Sequence, residues 1–197
     1  MSKQKTVTLE QKITNIELLK RAIQCVKPGA VIDTTSKINK NQWHEVPTEL
    51  NVGADHLVTD ATGKPLPLSR NEGAYGDVGF GLVNGVLTAQ VCSAEDSHYI
   101  DNAIRRKAER AGVKVNQPDG KFAADMQKFV EEIGNAYGAL ELSEKIKKKA
   151  PSIRITSPAA KSVPGRKSAW VAQGTISESD LNKLVASGGA RVIGLGY

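Results

Sequence analysis

The chain has 197 residues, of which 40% are apolar and 24% are charged, a composition that excludes a wholly disordered protein and fits one domain with an appendage. No apolar run approaches the ~20 residues of a membrane span and no signal-peptide core follows Met1, so we expect a cytoplasmic protein without a membrane partner. The net charge is +6, and the two cysteines are too few for a disulfide scaffold or a tetrathiolate zinc site.

The first predicted elements are a strand and a helix. Alternation of apolar and polar residues over 5–13 predicts a half-buried strand. Thr14 and Glu17 then form a capping-box pattern, in which the threonine side chain accepts from the backbone of the first helical turn. Apolar residues at helical spacing continue this helix over 14–27, and Pro28-Gly29 ends it.

The strongest local pattern is a hairpin centred on Asn84-Gly85. These residues separate alternating apolar runs at 77–83 and 86–92, and Asn-Gly in that position is typical of a type I′ turn. A two-residue turn fixes the pairing of the strands and places six side chains on one core face: Val78, Phe80, Leu82, Leu87, Ala89 and Val91. The opposite face carries Gly79 and Gly81, so another element, a second subunit or a ligand has room to approach the backbone there.

Helical periodicity returns after the hairpin. A helix is predicted over 93–112, and a longer one over about 121–148 carries a continuous apolar stripe. Pro151 ends this long helix, and alternation predicts a strand over 152–156. The Ser, Pro, Ala, Lys and Gly composition of 157–168 predicts a linker.

The order of the stronger elements is strand, helix, two hairpin strands, helix and strand. This order predicts an α+β fold with a ferredoxin-like split β-α-β antiparallel sheet, two long helices on one face, insertions, and a small C-terminal β-α-β extension. We therefore divide the chain into a domain over 1–156, a linker over 157–168 and an extension over 169–197. Residues 30–75 have little periodicity, and we interpret them as a loop-rich insertion, either a functional loop or one with minor strands.

Three stretches of the chain resemble a known family. They are residues 16–22, the hairpin from 77 through 85, and the helical apolar set of Phe129, Ile133 and Tyr137. Together they resemble a family of small uncharacterised proteins named as a hypothetical chloroplast reading frame, with relatives in cyanobacteria, other bacteria and phages. The resemblance implies an intracellular α+β domain and carries over neither a function nor a site residue.

The excess of positive over negative charge lies entirely in the second half of the chain. Residues 1–100 hold 10 Lys and Arg against 11 Asp and Glu, whereas residues 101–197 hold 17 against 10. Such a basic half favours a polyanionic partner, either nucleic acid or an acidic protein surface. Lysines near a helix C-terminus also complement the helix macrodipole, which is the alternative interpretation. The expected contact residues are Arg105, Arg106, Lys145, Lys147, Lys148, Lys149, Arg154, Arg166 and Lys167.

No motif in the chain predicts catalysis with any specificity. The glycine-rich stretch 73–81 leads into a strand and not into a helix N-terminus, so it lacks the dipole of a phosphate-binding loop. Ser93 or Ser97 beside His98 on one helix cannot supply the geometry of a catalytic triad. The remaining candidates for acid–base or metal chemistry lie in the loop-rich insertion: His44, His56 and Asp60.

Three functional hypotheses follow from these patterns. The first is a non-enzymatic binding protein, with no cofactor or metal, whose basic half engages a polyanion. The second is a structural or assembly protein, or a phage-encoded interaction protein, that oligomerises through the glycine-lined sheet face or the 157–197 arm. The third is a small enzyme that uses the three residues of the insertion and holds a metal or a nucleotide.

Overall fold

A computed structural model of the chain shows a mixed α+β fold built around an antiparallel sheet. The structure describes residues 4–7, 12–35, 38–40, 45–53, 57, 62, 77–92, 101–102, 105–106, 108–110, 112–115, 118, 120–149, 151–161, 169–171, 174–175 and 177–186. The helices of these ranges include α1 (Ile16–Val26), α2 (Lys121–Lys149) and α3 (Glu178–Ala186).

The strands form one five-stranded sheet and three two-stranded sheets. In chain order they are β1 (Gln4–Val7), β2 (Ile32–Asp33), β3 (Ile38–Lys40), β4 (Glu45–Pro47), β5 (Leu50–Gly53), β6 (Asp77–Val83), β7 (Val86–Cys92), β8 (Arg154–Ile155), β9 (Ala159–Lys161), β10 (Ala169–Val171) and β11 (Gly174–Thr175). The large sheet has the order β1-β7-β6-β5-β2 and every pair in it is antiparallel. The small sheets pair β3 with β4, β8 with β11, and β9 with β10.

The predicted hairpin is confirmed in its turn and in its register. Asn84 and Gly85 have φ values of +51° and +78°, as a type I′ turn requires, and Leu82 pairs with Leu87 across it. Phe80 and Ala89 are fully buried on the expected core face. The prediction is wrong for Leu82, whose side chain is 59% exposed because it lies at the hairpin tip, outside the core cluster.

The core lies between the large sheet and the helices α1 and α2. One cluster of buried side chains joins β5, β6, β7, α1 and α2, and the apolar stripe predicted for the long helix is buried: Phe122, Met126, Phe129, Val130, Ile133, Tyr137 and Leu140. The Tyr137 hydroxyl accepts hydrogen bonds from the backbone N–H groups of Thr14 and Asn15, both at 3.2 Å. Seven residues further along α2, Glu144 forms an ion pair with Arg21 of α1. The second contact lies further along the sequence than the first in both partners, so α1 and α2 run roughly parallel where they touch.

The N-terminal cap of α1 differs from the prediction by one residue. Asn15, and not Thr14, is the cap, and its Oδ1 accepts from the N–H groups of Glu17 and Leu18 at 3.0 Å each. Tyr137 binds the backbone N–H groups of both Thr14 and Asn15, which holds the chain extended up to Asn15 and starts the helix at Ile16.

The insertion contributes more to the sheet than its weak periodicity predicts. Strand β5 pairs with β6, and its Leu50 and Val52 are fully buried in the core. Strand β3 packs on β6 as well. Strand β5 pairs only with residues 77–80 of β6, and both Gly79 and Gly81 of β6 are buried. The burial of both glycines shows that other parts of the chain cover the glycine-lined face at these positions.

The finer ferredoxin-like topology is not confirmed. That fold would place the strand after the long helix beside β1, whereas β8 pairs with β11 in a separate sheet. Within the predicted linker, residues 159–161 form β9, which pairs with β10. The elements after α2 thus associate with one another and with α2, and residues 162–168 lie outside the described part of the chain.

The start of α2 is capped by a residue from the preceding helical segment. Gly120 accepts the first helical hydrogen bond, from Ala124 N–H at 3.1 Å, but glycine has no side chain to cap the helix. Asp101 supplies the missing oxygens: its carboxylate accepts from Gly120 N–H at 2.7 Å and from Phe122 N–H at 3.3 Å. The Asp101 side chain is fully buried, so this cap belongs to the core of the molecule.

Candidate anion-binding surface

The C-terminal end of α2 carries a cluster of basic residues. Lys145, Lys147, Lys148 and Lys149 are exposed on its last turns. The chain then turns at Pro151 and enters β8, where Arg154 is exposed. We call Lys147, Lys148, Lys149 and Arg154 the basic end of α2.

Acidic residues neutralise the positive charge of the turn of α2 that precedes the basic end, but not the charge of the basic end itself. Lys145 pairs with Glu141 at 3.2 Å, and Glu144 is occupied by Arg21. Within the ranges that the structure describes, no residue of the basic end forms an ion pair. The nearby carboxylate of Asp180 accepts from Ser152 and pairs with Lys183 at 3.2 Å. Four cations are therefore left to attract an external anion.

The predicted contact residues Arg105 and Arg106 do not join this surface. Arg105 and Arg106 lie on the helical segment that includes Asp101, which contacts the opposite end of α2. The helix between Phe122 and Lys145 is about 35 Å long at a rise of about 1.5 Å per residue. Arg105 also binds the Asn102 side chain. Arg166 and Lys167 lie outside the described residues.

An apolar groove with a volume of about 160 Å³ lies beside the basic end. One wall is α2, and the other is formed by the small sheets that follow it. The lining residues are Ala139, Leu142, Ser143 and Ile146 on the helix, and Ile153, Ile155, Trp170 and Gly174 on the strands. Sequence reasoning missed this groove, although the alternation of Ile153, Arg154 and Ile155 was a signal that β8 has one apolar face.

Helical geometry places lysines on both sides of the groove. Successive residues of an α-helix are about 100° apart, so Lys149 lies about 60° to one side of Ile146 and Lys147 about 100° to the other. Ile146 lines the groove, and both lysines are exposed. Arg154 points away from the groove, because neighbouring residues of a strand face opposite sides and its neighbours Ile153 and Ile155 line it.

The candidates for catalysis or metal binding gain no support. His44, His56 and Asp60 lie outside the described residues. Among the described residues, no group of His, Cys, Asp and Glu is arranged to hold a metal ion, and no helix is long and apolar enough to cross a bilayer. Burial raises the pKa of the Cys25 thiol, an effect that the Arg21 guanidinium only partly opposes, so this thiol is poorly suited to act as a nucleophile.

Comparisons of the chain with protein-family models, with curated proteins and with solved structures found no match.

Proposed function

We propose that the protein is a non-enzymatic binding protein that engages a polyanion, in the first place nucleic acid, through the basic end of α2. The observation that carries the proposal is that Lys147, Lys148, Lys149 and Arg154 are all exposed without an acidic partner among the described residues. Lysine and arginine side chains that neutralise phosphates release the cations condensed on a nucleic acid, which contributes a binding free energy that does not depend on base sequence.

The helix macrodipole explains only part of this cluster. Lysines in the last turn of α2 stabilise the partial negative charge of its free carbonyl groups, which accounts for Lys147, Lys148 and Lys149 individually. It does not account for Arg154, which lies on a strand beyond the helix. A cluster that extends past the helix end supports a role in attracting an external anion.

The test is a binding titration with fluorescently labelled oligonucleotides over a range of salt concentrations. We expect the logarithm of the affinity to fall linearly with the logarithm of salt concentration, with a slope of about −0.7 per neutralised phosphate for single strands. The double variant Lys147→Gln/Lys149→Gln removes two of these contacts and should reduce the steepness by about 1.4.

A matched control removes the same charge at the other end of α2. Arg106 and Arg110 are exposed on the helical segment near Asp101, and Arg106→Gln/Arg110→Gln leaves the basic end intact. This control should bind like the unchanged protein, within about 2-fold. Equal weakening by both double variants would show that binding follows net charge alone. Absence of binding even at low salt would refute the proposal.

A further inference from the structure

We propose that the polyanion is a single-stranded nucleic acid, and that one of its bases inserts into the apolar groove beside Trp170. This inference rests on the proposed function, because the lysines that flank the groove hold the neighbouring phosphates. The inference specifies that the nucleic acid is single-stranded, and it identifies Trp170 as the residue that distinguishes single strands from duplexes.

The size of the groove suits one planar ring. A cavity of about 150 Å³ is large enough to bind benzene. The groove has a volume of about 160 Å³, so it accommodates a single six-membered ring of similar size, such as that of a pyrimidine base. Trp170 lines it and is partly exposed, which gives the base an aromatic surface to stack on.

The chemistry of the groove predicts tolerance of base sequence. Among the lining residues that the structure describes, only Ser143 carries a hydroxyl, and it already donates to the Ala139 carbonyl oxygen at 2.7 Å. The other lining side chains are apolar, so the groove offers stacking and apolar contact without a pattern of donors that reads a base edge. Stacking combined with phosphate contacts is the usual mode of sequence-tolerant single-strand binding.

The spacing of charge and groove favours a nucleic acid strand over an acidic protein. Each nucleotide carries a phosphate next to its base, so a base in the groove brings phosphates toward Lys147 and Lys149 on its two sides. A duplex keeps its bases stacked and paired, so it can engage the lysines but not the groove. An acidic peptide has no planar ring linked to each charge.

The experiment compares a labelled thymidine oligomer of about 15 nucleotides with a duplex of the same length, using fluorescence anisotropy and the full chain. We expect the single strand to bind more tightly. Trp170→Leu keeps an apolar side chain but loses the ring, and should weaken single-strand binding roughly 10-fold without changing duplex binding. Trp170→Phe keeps a ring and should bind the single strand within about 3-fold of the unchanged protein.

A second variant blocks the groove and leaves Trp170 in place. A Cβ atom added at Gly174 would lie 3.2 Å from Ile153 Cδ1 and 3.5 Å from Ile155 Cγ1, so the larger side chain of Gly174→Val occupies space between the groove walls. This variant should lose single-strand binding as Trp170→Leu does. Far-UV circular dichroism confirms that each variant is folded before binding is measured.

The outcomes separate this inference from the proposed function. If Trp170→Leu and Gly174→Val bind both oligonucleotides normally while Lys147→Gln/Lys149→Gln weakens both, the groove is not a base site and the basic end alone binds the anion. If the double lysine variant also binds normally, the proposed function fails as well. Polyglutamate and unlabelled thymidine oligomer can also be compared as competitors of the labelled single strand. If polyglutamate competes as effectively at equal charge, the base site is likewise overturned.

Discussion

Asp101 shows how one buried side chain joins two parts of the chain. Its carboxylate binds the N–H groups of Gly120 and Phe122, which would otherwise be unsatisfied at the start of α2. The negative charge also lies at the positive end of the helix dipole. Asp101 and Gly120 are separated by 19 positions in the sequence, so no local capping motif predicts the contact. A distant residue can cap a helix only after the fold has brought it there.

We expect Asp101→Ala to lower the free energy of unfolding by about 2 kcal/mol, because it removes the acceptor of one buried and one half-buried N–H group. Urea unfolding followed by circular dichroism measures the change. Asp125→Ala is the matched control: Asp125 is an acidic residue near the start of α2 whose side chain is 33% exposed and whose partner is Lys121. Its loss should cost less than about 0.5 kcal/mol. Equal effects of the two variants would mean that Asp101 acts through charge alone.

Among the secondary-structure elements, the sequence predicts those whose geometry is determined by residues close together in the chain. The hairpin followed from two residues, since a type I′ turn determines the register of every pair after it. The long helix followed from a stripe that repeats over many turns. The partners of the shortest strands could not be predicted, because two-residue strands such as β2 and β8 carry almost no periodicity.

The hairpin turn gives a prediction about backbone conformation. Gly85 has a φ of +78°, and a Cβ atom added there would have no other atom within 4 Å. Gly85→Ala therefore introduces backbone strain without a steric clash, and should lower the free energy of unfolding by about 1 kcal/mol. Asn84→Gly fits a φ of +51° equally well and should change it by less than about 0.5 kcal/mol. Urea titrations of both variants test this, and a neutral Gly85→Ala would contradict the type I′ turn.

For the whole molecule, proximity in sequence was a poor guide to proximity in space. The nine predicted contact residues all lie in the second half of the chain. The structure places two of them near one end of α2 and five near the other. A 29-residue helix separates these groups, and only its C-terminal end combines exposed cations with a groove. The sequence therefore predicts that the site is basic, but it does not predict which basic residues form one surface. That surface includes the groove, which depends on how β8, β10 and β11 fold back on α2.

That packing also decides how the molecule unfolds. A separate C-terminal unit, as the sequence division implies, would unfold in a transition of its own. In the structure α2 packs on α1 and β7 and also on β10, and Trp170 of β10 contacts the main core. We therefore expect one cooperative transition.

The measurement uses a Trp43→Phe background, in which Trp170 is the only tryptophan. Trp170 fluorescence reports the strands after α2, and far-UV circular dichroism reports mainly the helices, so their urea midpoints should coincide. A chain that ends at residue 156 loses the contacts of Trp170 with α2, and its free energy of unfolding should fall by at least about 2 kcal/mol. Two separated midpoints, or a truncated chain of unchanged stability, would show that residues 157–197 form an independent unit, and a groove between that unit and α2 could then not hold a base in a fixed position.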